Sequence, residues 1–255
     1  MVQQDLEGRK ILVLGASSGI GRSCAIRLGE RGASVVLVGR DRGRLEETAG
    51  HIPEERRAVV PCDVSSFDAA EAVVKDAVKL DGVRLDGCVF SVGIAAIVPV
   101  ASVSEALLSK CYRTNLFSLY GVLKAFSSRR VSVDGSSFVS IASYAAVRPQ
   151  KGQIIYGATK AAMIACTQVA ARELARRRVR VNAVCPEMVD TPMGHEGLAN
   201  LPPEYLKERY PLGVLTPEDV ADTVLYLLSD AGKKMTGEAI TITGGCTGDE
   251  ANLMF

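Results

Sequence analysis

The sequence predicts an α/β fold, a doubly wound parallel sheet with helices on both faces. Three observations carry that expectation. Short β-type runs alternate with helical stretches along the chain. The runs are apolar without a break, as in strands covered on both faces, rather than alternating apolar with polar. Three glycines, Gly15, Gly19 and Gly21, stand where the first run passes into the first helical stretch.

The elements follow in order. "KILVL" (10–14) is the first strand, and "LGASSGIGR" turns it into a helix over 19–31. "SVVLV" (34–38) and "AVVPC" (58–62) are valine-rich strands, and β-branched residues suit a pleated, covered surface. A helix is expected over 67–80, then the strand "GCVFS" (87–91) and a long helix over 104–129. "SSFVSI" (136–141) leads to a second long helix, 157–178, and "RVNAV" (180–184) is the sixth strand. The stretch 193–215 is rich in Gly, Pro and charge and reads as a mobile substrate loop that orders on binding. "TPEDV" (216–220) starts a helix over 217–229: Thr216 caps it, Pro217 takes the first helical position, and acids follow in the first turn. "AITIT" (239–243) is the last strand. No repeat, low-complexity tract or long linker divides the 255 residues, so 1–255 reads as one domain.

Composition narrows the class. Apolar residues are 47% and charged residues 23% of the chain, as in a folded soluble protein. A formal net charge of +1 gives no global pull toward nucleic acid or membrane. The seven cysteines stand singly, and His51 and His195 lie far apart, so no metal site is expected. Unpaired thiols suit a cytoplasmic protein. No apolar run approaches the roughly 18 residues of a bilayer span, and no signal-peptide pattern appears.

Two motifs carry chemistry. Glycines at a strand–turn–helix junction let backbone approach a pyrophosphate seated on the helix N-terminus. Their spacing, G-x-x-x-G-x-G, departs from the common G-x-G-x-x-G, and a plain glycine-rich turn is the alternative. In "IIYGATKAAM" (154–163), Tyr156 and Lys160 are four residues apart, so on a helix they share a face. An exposed, unemployed pair is the alternative there.

With "GASSGIG" and "YGATK" both in view, the chain resembles the short-chain dehydrogenase/reductase family, from about residue 8 to about residue 245. "CDV" (62–64), "TNLFS", "SIASYAAVRPQKGQIIYGATK", "CPEMVDTPM" and "TGEAITITGG" follow in family order. The resemblance implies a Rossmann-type fold and hydride chemistry at a carbonyl. It implies Tyr156 as general acid/base, with Lys160 and the oxidised cofactor's positive ring lowering the phenol's pKa. It implies Ser143 on the substrate carbonyl and Asn115 in a proton relay. Cofactor contacts carried over are Gly15, Ser17, Ser18, Gly19, Ile20, Gly21, Arg40, Asp63, Val64, Ser91, Gly93, Pro186, Val189 and Thr191, with Tyr156 and Lys160.

The second strand ends in Gly39 and Arg40, with Arg42 and Arg44 near and Asp41 between. An NAD-selective site places an acid there, whereas arginine suits a 2′-phosphate. NADP(H) is therefore the expected cofactor. Within the family the 3-oxoacyl-[acyl-carrier-protein] reductases are most resembled. That implies a ketone or acyl-thioester substrate and a homotetramer built on the two long helices. The basic clusters "SRR" (128–130) and "ARRRVR" (175–180) read as cations complementing a helix C-terminus, with the alternative, by resemblance, that Arg129 and Arg172 are contacts for a carrier protein. A sugar, alcohol or steroid dehydrogenase, or a non-catalytic dinucleotide-binding protein, are the rivals. Two departures stand out: Ser91-Val92-Gly93 replaces Asn-Ala-Gly, and Glu187 replaces a glycine after Pro186. Glu187 is expected to point to solvent.

Overall fold

The computed structural model describes residues 5–199 and 201–246. Its centre is a seven-stranded, all-parallel sheet in the order β3-β2-β1-β4-β5-β6-β7. The strands are β1 (Lys10–Leu14), β2 (Ser34–Gly39), β3 (Arg57–Pro61), β4 (Leu85–Phe90), β5 (Ser132–Ile141), β6 (Arg180–Pro186) and β7 (Ala239–Ile242). All seven expected strands are present, with ends shifted by up to four residues. The largest shift is in β5, whose first half, "SVDG", is too polar to read as strand.

One face of the sheet carries α1 (Gly19–Glu30), α2 (Arg42–Ala49) and α9 (Pro217–Leu228). Leu28, Leu45, Val220 and Val224 pack there on Ile11, Val13, Leu37 and Val139. The other face carries α3 (Phe67–Lys79), α5 (Ser118–Phe126) and α6 (Ile154–Leu174). There Val74, Leu119, Phe126 and Met163 pack on Leu12, Leu14, Phe90 and Phe138. Alternate residues of each strand thus feed opposite cores, which explains why the strands read as unbroken apolar runs.

The helices differ from expectation in four places, the first being α2, which was not expected. The helix expected over 104–129 is α4 (Glu105–Tyr112), a wide π turn at Arg113–Phe117, and then α5. The helix α6 begins at Ile154, three residues before the expected start, so Tyr156 lies in its first turn. It continues as a 3-10 turn to Arg177 and stops at Arg178, whose φ of 58° is left-handed. The run 154–177 is long and apolar enough to cross a bilayer by length and composition, contrary to the reading from sequence. Here it packs on the sheet through Met163 and Ala171 and buries Lys160. The stretch 193–215, read as a loop, contains α7 (His195–Ala199) and α8 (Pro203–Arg209). Thr216 and Asp219 form the expected capping box of α9.

β1 and β4 are neighbours, and the strand order runs outward from them in both directions. This is the switch point of the sheet, where loops leave the carboxyl ends on opposite faces and open a crevice.

Candidate active site

The glycine loop is built by close approach. Gly15 has φ +86°, and a Cβ on it would lie 2.3 Å from the Ser91 carbonyl oxygen. A Cβ on Gly21 would lie 2.2 Å from the Gly15 carbonyl oxygen. The loop after β1 is therefore pressed between the start of α1 and the end of β4, and no side chain fits there. Ser18 caps α1 in extended conformation, and its hydroxyl makes no capping bond. No acid occupies the first turn of α1. Free N–H groups at a helix N-terminus with no carboxylate beside them suit an anion. Ser17 lies under Gly39, its Oγ 3.2 Å from where a Cβ on that glycine would stand. Ile20 packs on the first core.

At the end of β2, Arg40 is exposed. Asp41 does not turn toward the loop: it caps α2, accepting from the Arg44 N–H at 3.1 Å. Arg42 pairs with Glu46 and Arg44 lies beside Asp41, both on the surface of α2. Of the three arginines, Arg40 stands directly after the carboxyl end of β2. Asp63 is exposed and accepts from the Ser65 N–H, whereas Val64 is buried in the second core. On the far side, Pro186 and Val189 are buried at and beyond the end of β6. The Thr191 methyl lies 3.1 Å from a Cβ position on Gly19, so this segment meets the glycine loop.

The structure brings Asn115, Ser143, Tyr156 and Lys160 together at the carboxyl ends of β4 and β5. Gly93 lies between two of them, with Asn115 Oδ1 and Lys160 Nζ each 3.4 Å from its Cβ position. Asn115 sits in the π turn and is fully buried. Its Oδ1 accepts from the Ile94 N–H at 2.8 Å, and its Nδ2 donates to the Ile94 carbonyl at 3.0 Å and to Thr159 Oγ1 at 3.1 Å. Thr159 in turn donates to the Tyr156 carbonyl at 2.8 Å. Thr159 was not singled out from the sequence, although it lies within "YGATK" between the two residues that were. Gly157 lets α6 approach the turn after Ser143, since its Cβ position is 3.0 Å from the Ala145 carbonyl.

Lys160 is buried and donates to the Ile141 carbonyl at 2.7 Å, with its ammonium 5.7 Å from the centre of the Tyr156 ring. Burial pulls its pKa down to about 8. Burial pushes the Tyr156 phenol above its ordinary value, and hydrogen bonding to Ser143 opposes that shift. The lowering implied by the resemblance needs Lys160 and the oxidised cofactor's positive ring together; in the protein alone burial outweighs the bond to Ser143. The ammonium lies over the ring face and is held by a backbone carbonyl, so desolvation dominates at the phenol. Cys111 and Cys185 flank the group, and burial raises both thiols, Cys185 to about 11. Both are neutral near pH 7.

Glu187 corrects another expectation. Its side chain is 8% exposed and accepts from Tyr210 Oη at 2.6 Å and Arg209 Nη2 at 3.2 Å. Two donors at the end of α8 draw it inward. The basic clusters are partly internal as well. Arg177 is buried and donates to Ser127, Ser132 and Asp134, and Arg129 also binds Asp134. Arg172 is exposed. His51 is exposed, and His195 lies on the surface 3.7 Å from Asp190.

A glycine-lined strand–helix junction at a switch point, with a tyrosine–lysine pair facing it, defines a dinucleotide-dependent oxidoreductase. The comparisons agree. The family described as Enoyl-(Acyl carrier protein) reductase matches residues 15–247. The chain is 32% identical to the (3R)-3-hydroxyacyl-CoA dehydrogenase of Homo sapiens, over 96% of this chain and 97% of that one. It is 31% identical to the L-xylulose reductase of Mus musculus, over 94% of this chain and 97% of that one. A short-chain dehydrogenase/reductase of the glucose/ribitol dehydrogenase type from Brucella melitensis superposes with a TM-score of 0.88 at 34% identity, covering 95% of this chain and 98% of that one. The chain belongs to the short-chain dehydrogenase/reductase family, and it is an NAD(P)-dependent oxidoreductase acting on CH–OH or C=O groups.

Proposed function

We propose that the chain reduces a 3-oxoacyl thioester to the secondary alcohol with NADPH, Tyr156 delivering the proton. The observation that carries the reaction is the convergence of Tyr156, Ser143 and Lys160 beside the glycine loop. The bound cofactor supplies the hydride. Tyr156, with a raised phenol pKa, is protonated near neutral pH and thus a donor to a carbonyl oxygen gaining negative charge. Ser143 hydrogen-bonds the same oxygen and orients the substrate. Lys160 holds positive charge beneath the phenol below pH 8 and binds the nicotinamide ribose. Asn115, bonded to both backbone groups of Ile94, fixes the strand end beside Lys160, and a second lone pair on its Oδ1 suits a relay water.

The residues present fit a dinucleotide. Gly15, Gly19 and Gly21 with the Ser18 hydroxyl would cradle the pyrophosphate, and Asp63, Val64, Ser91, Gly93, Pro186, Val189 and Thr191 would line the rest of the dinucleotide. Arg40 and the absence of an acid at Gly39 favour the 2′-phosphate of NADP(H). A relative named NAD-dependent glycerol dehydrogenase and a 3-ketoacyl-(acyl-carrier-protein) reductase structure complexed with NADH mark the rival cofactor.

The acyl-thioester assignment follows the human hydroxyacyl-CoA dehydrogenase and a 3-oxoacyl-[acyl-carrier-protein] reductase of Chlamydia trachomatis, 31% identical. The xylulose reductase supports a sugar ketone as the second reading. Exposed Arg172 is the candidate carrier-protein contact. Apolar Phe117, Tyr120 and Val169, exposed on the helices after Tyr112 and on α6, suit the core of a cytoplasmic homotetramer. A panel of 3-oxoacyl thioesters, on CoA and on carrier protein, against ketoses with NADPH and NADH tests the reading. Turnover highest on thioesters with NADPH is the expected result; preference for a ketose replaces the substrate assignment.

A further inference from the structure

We propose that Glu187 is a positioning residue that fixes α8 against the end of β6, so that one wall of the substrate entrance is built before substrate arrives. The inference deepens the proposed function and rests on it for the identity of the site.

The carboxylate is anchored from below. The Glu187 N–H donates to the Ile242 carbonyl at 2.8 Å, placing residue 187 on the β6–β7 edge, directly after Pro186. Its side chain then gathers three donors: Arg209, Tyr210 and the Met188 N–H. Arg209 also donates to Tyr205 Oη at 3.2 Å and to Tyr210 Oη at 3.1 Å. One guanidinium thus ties both ends of the last turn of α8 to one carboxylate. Both charged side chains are nearly excluded from water, at 6% and 8% exposed. A buried pair of this kind is poor value as bulk stabilisation, since apolar residues of similar size serve as well. Its directional bonds instead specify one placement of the helix. A second tether agrees with it: the Leu212 N–H donates to the Gly244 carbonyl at 3.0 Å, and a Cβ on Gly244 would meet the Gly213 carbonyl oxygen at 2.3 Å.

Among the described residues, the neighbouring part of the insertion shows no buried ion pair of this kind. Met193 is exposed, and the His195–Asp190 pair is a surface contact. The segment expected to order as a unit on binding therefore divides in two. Residues 203–213 are the part held in place beforehand.

The test uses Glu187→Gly, Arg209→Met and the double variant in the full chain, with Tyr210→Phe as a milder probe of the same carboxylate. Hydrogen exchange of the unliganded protein reads the latch without reference to activity. Amides of 204–210 should exchange on the order of tenfold faster in Glu187→Gly, the scale of a lost charge-assisted bond, with β1 and α1 unchanged. The double variant should be less disruptive than the sum of the two single variants, because the two residues share one of their bonds. In turnover with the best ketone of the panel, KM for that ketone should rise on the order of tenfold, with KM for NADPH and kcat within about twofold of wild type. If Glu187→Gly does not fold, Tyr210→Phe should show the same pattern at smaller amplitude. Unchanged exchange over 204–210, additive single effects, or an unchanged ketone KM with faster exchange each overturns the proposal. Absence of turnover in the wild type defeats the substrate reading instead and leaves the exchange result standing.

Discussion

The two sides of the crevice are made of different material. The side formed by β1, the glycine loop and α1 is backbone: Gly15 and Gly21 create space, and the proposed anion site is a row of N–H groups. The side formed by β5, α6 and β6 is side chain: Ser143, Tyr156, Thr159 and Lys160 are held by one another and by carbonyls, and Glu187 by Arg209 and Tyr210. A backbone site is fixed by what is absent and fails when any atom is added. A side-chain site is fixed by partners and fails when an atom is removed.

The sharpest test of this contrast is removal of one oxygen from the side-chain side. Tyr156→Phe should lower kcat by about 10²–10⁴-fold, the usual worth of a positioned general acid, with the NADPH Kd nearly unchanged. Retention of more than about a tenth of the rate would break the assignment. Next is the buried charge. Lys160 has a folded pKa of about 8 against an ordinary 10.5, so between those values the unfolded chain binds more protons. Stability from this group therefore rises with pH across that window. Relative to Lys160→Met, the wild type should gain roughly 3 kcal/mol from pH 8 to pH 10.5, read by urea unfolding at each pH. A flat difference would show that the ammonium is solvated.

The backbone side is tested by addition. Gly21→Ala places a methyl 2.2 Å from a carbonyl oxygen, and the loop must shift to admit it. A loss of about 1–3 kcal/mol in stability, typical of overpacking, should come with weaker NADPH binding, measured by melting and by titration. A lower kcat at unchanged Kd would blur the distinction between the two sides. The smallest expected effect lies at the rim. Arg40→Ala should reduce the NADPH-over-NADH ratio of kcat/KM about ten- to a hundredfold, the worth of a charge-assisted bond. A wild-type preference for NADH would overturn the cofactor assignment.

This division also decided what could be read from sequence. Strands were legible because each feeds two cores, and their apolar runs advertise it. The glycine loop was legible because only glycine meets its geometry. Tyr156 and Lys160 were legible from helical spacing, and Ser143 and Asn115 only through resemblance, since nothing local pairs residues 13 or more apart. Glu187 was misread because its partners lie 22 and 23 residues downstream, in a stretch whose polarity suggested loop. The helix α2 was missed because Arg42 and Arg44 drew attention as ligand residues, while Asp41 was serving as its cap. The phenol's shift depended on burial and on where the ammonium pointed, which spacing does not encode.

The π turn at Arg113–Phe117 carries a consequence for counting. A turn closed at i→i+5 holds one residue more than an α turn, and one residue is worth about 100° of rotation. The rod from Glu105 to Phe126 therefore changes phase midway. Upstream of the turn, Cys111 faces the loop at Ile94; downstream, Leu119, Val122 and Phe126 face the sheet. Deleting a single residue from 113–117 would restore an unbroken α-helix while rotating one of those faces away from its partner. Such a helix would score as well by propensity and pack worse, so its length is set by angle rather than by span.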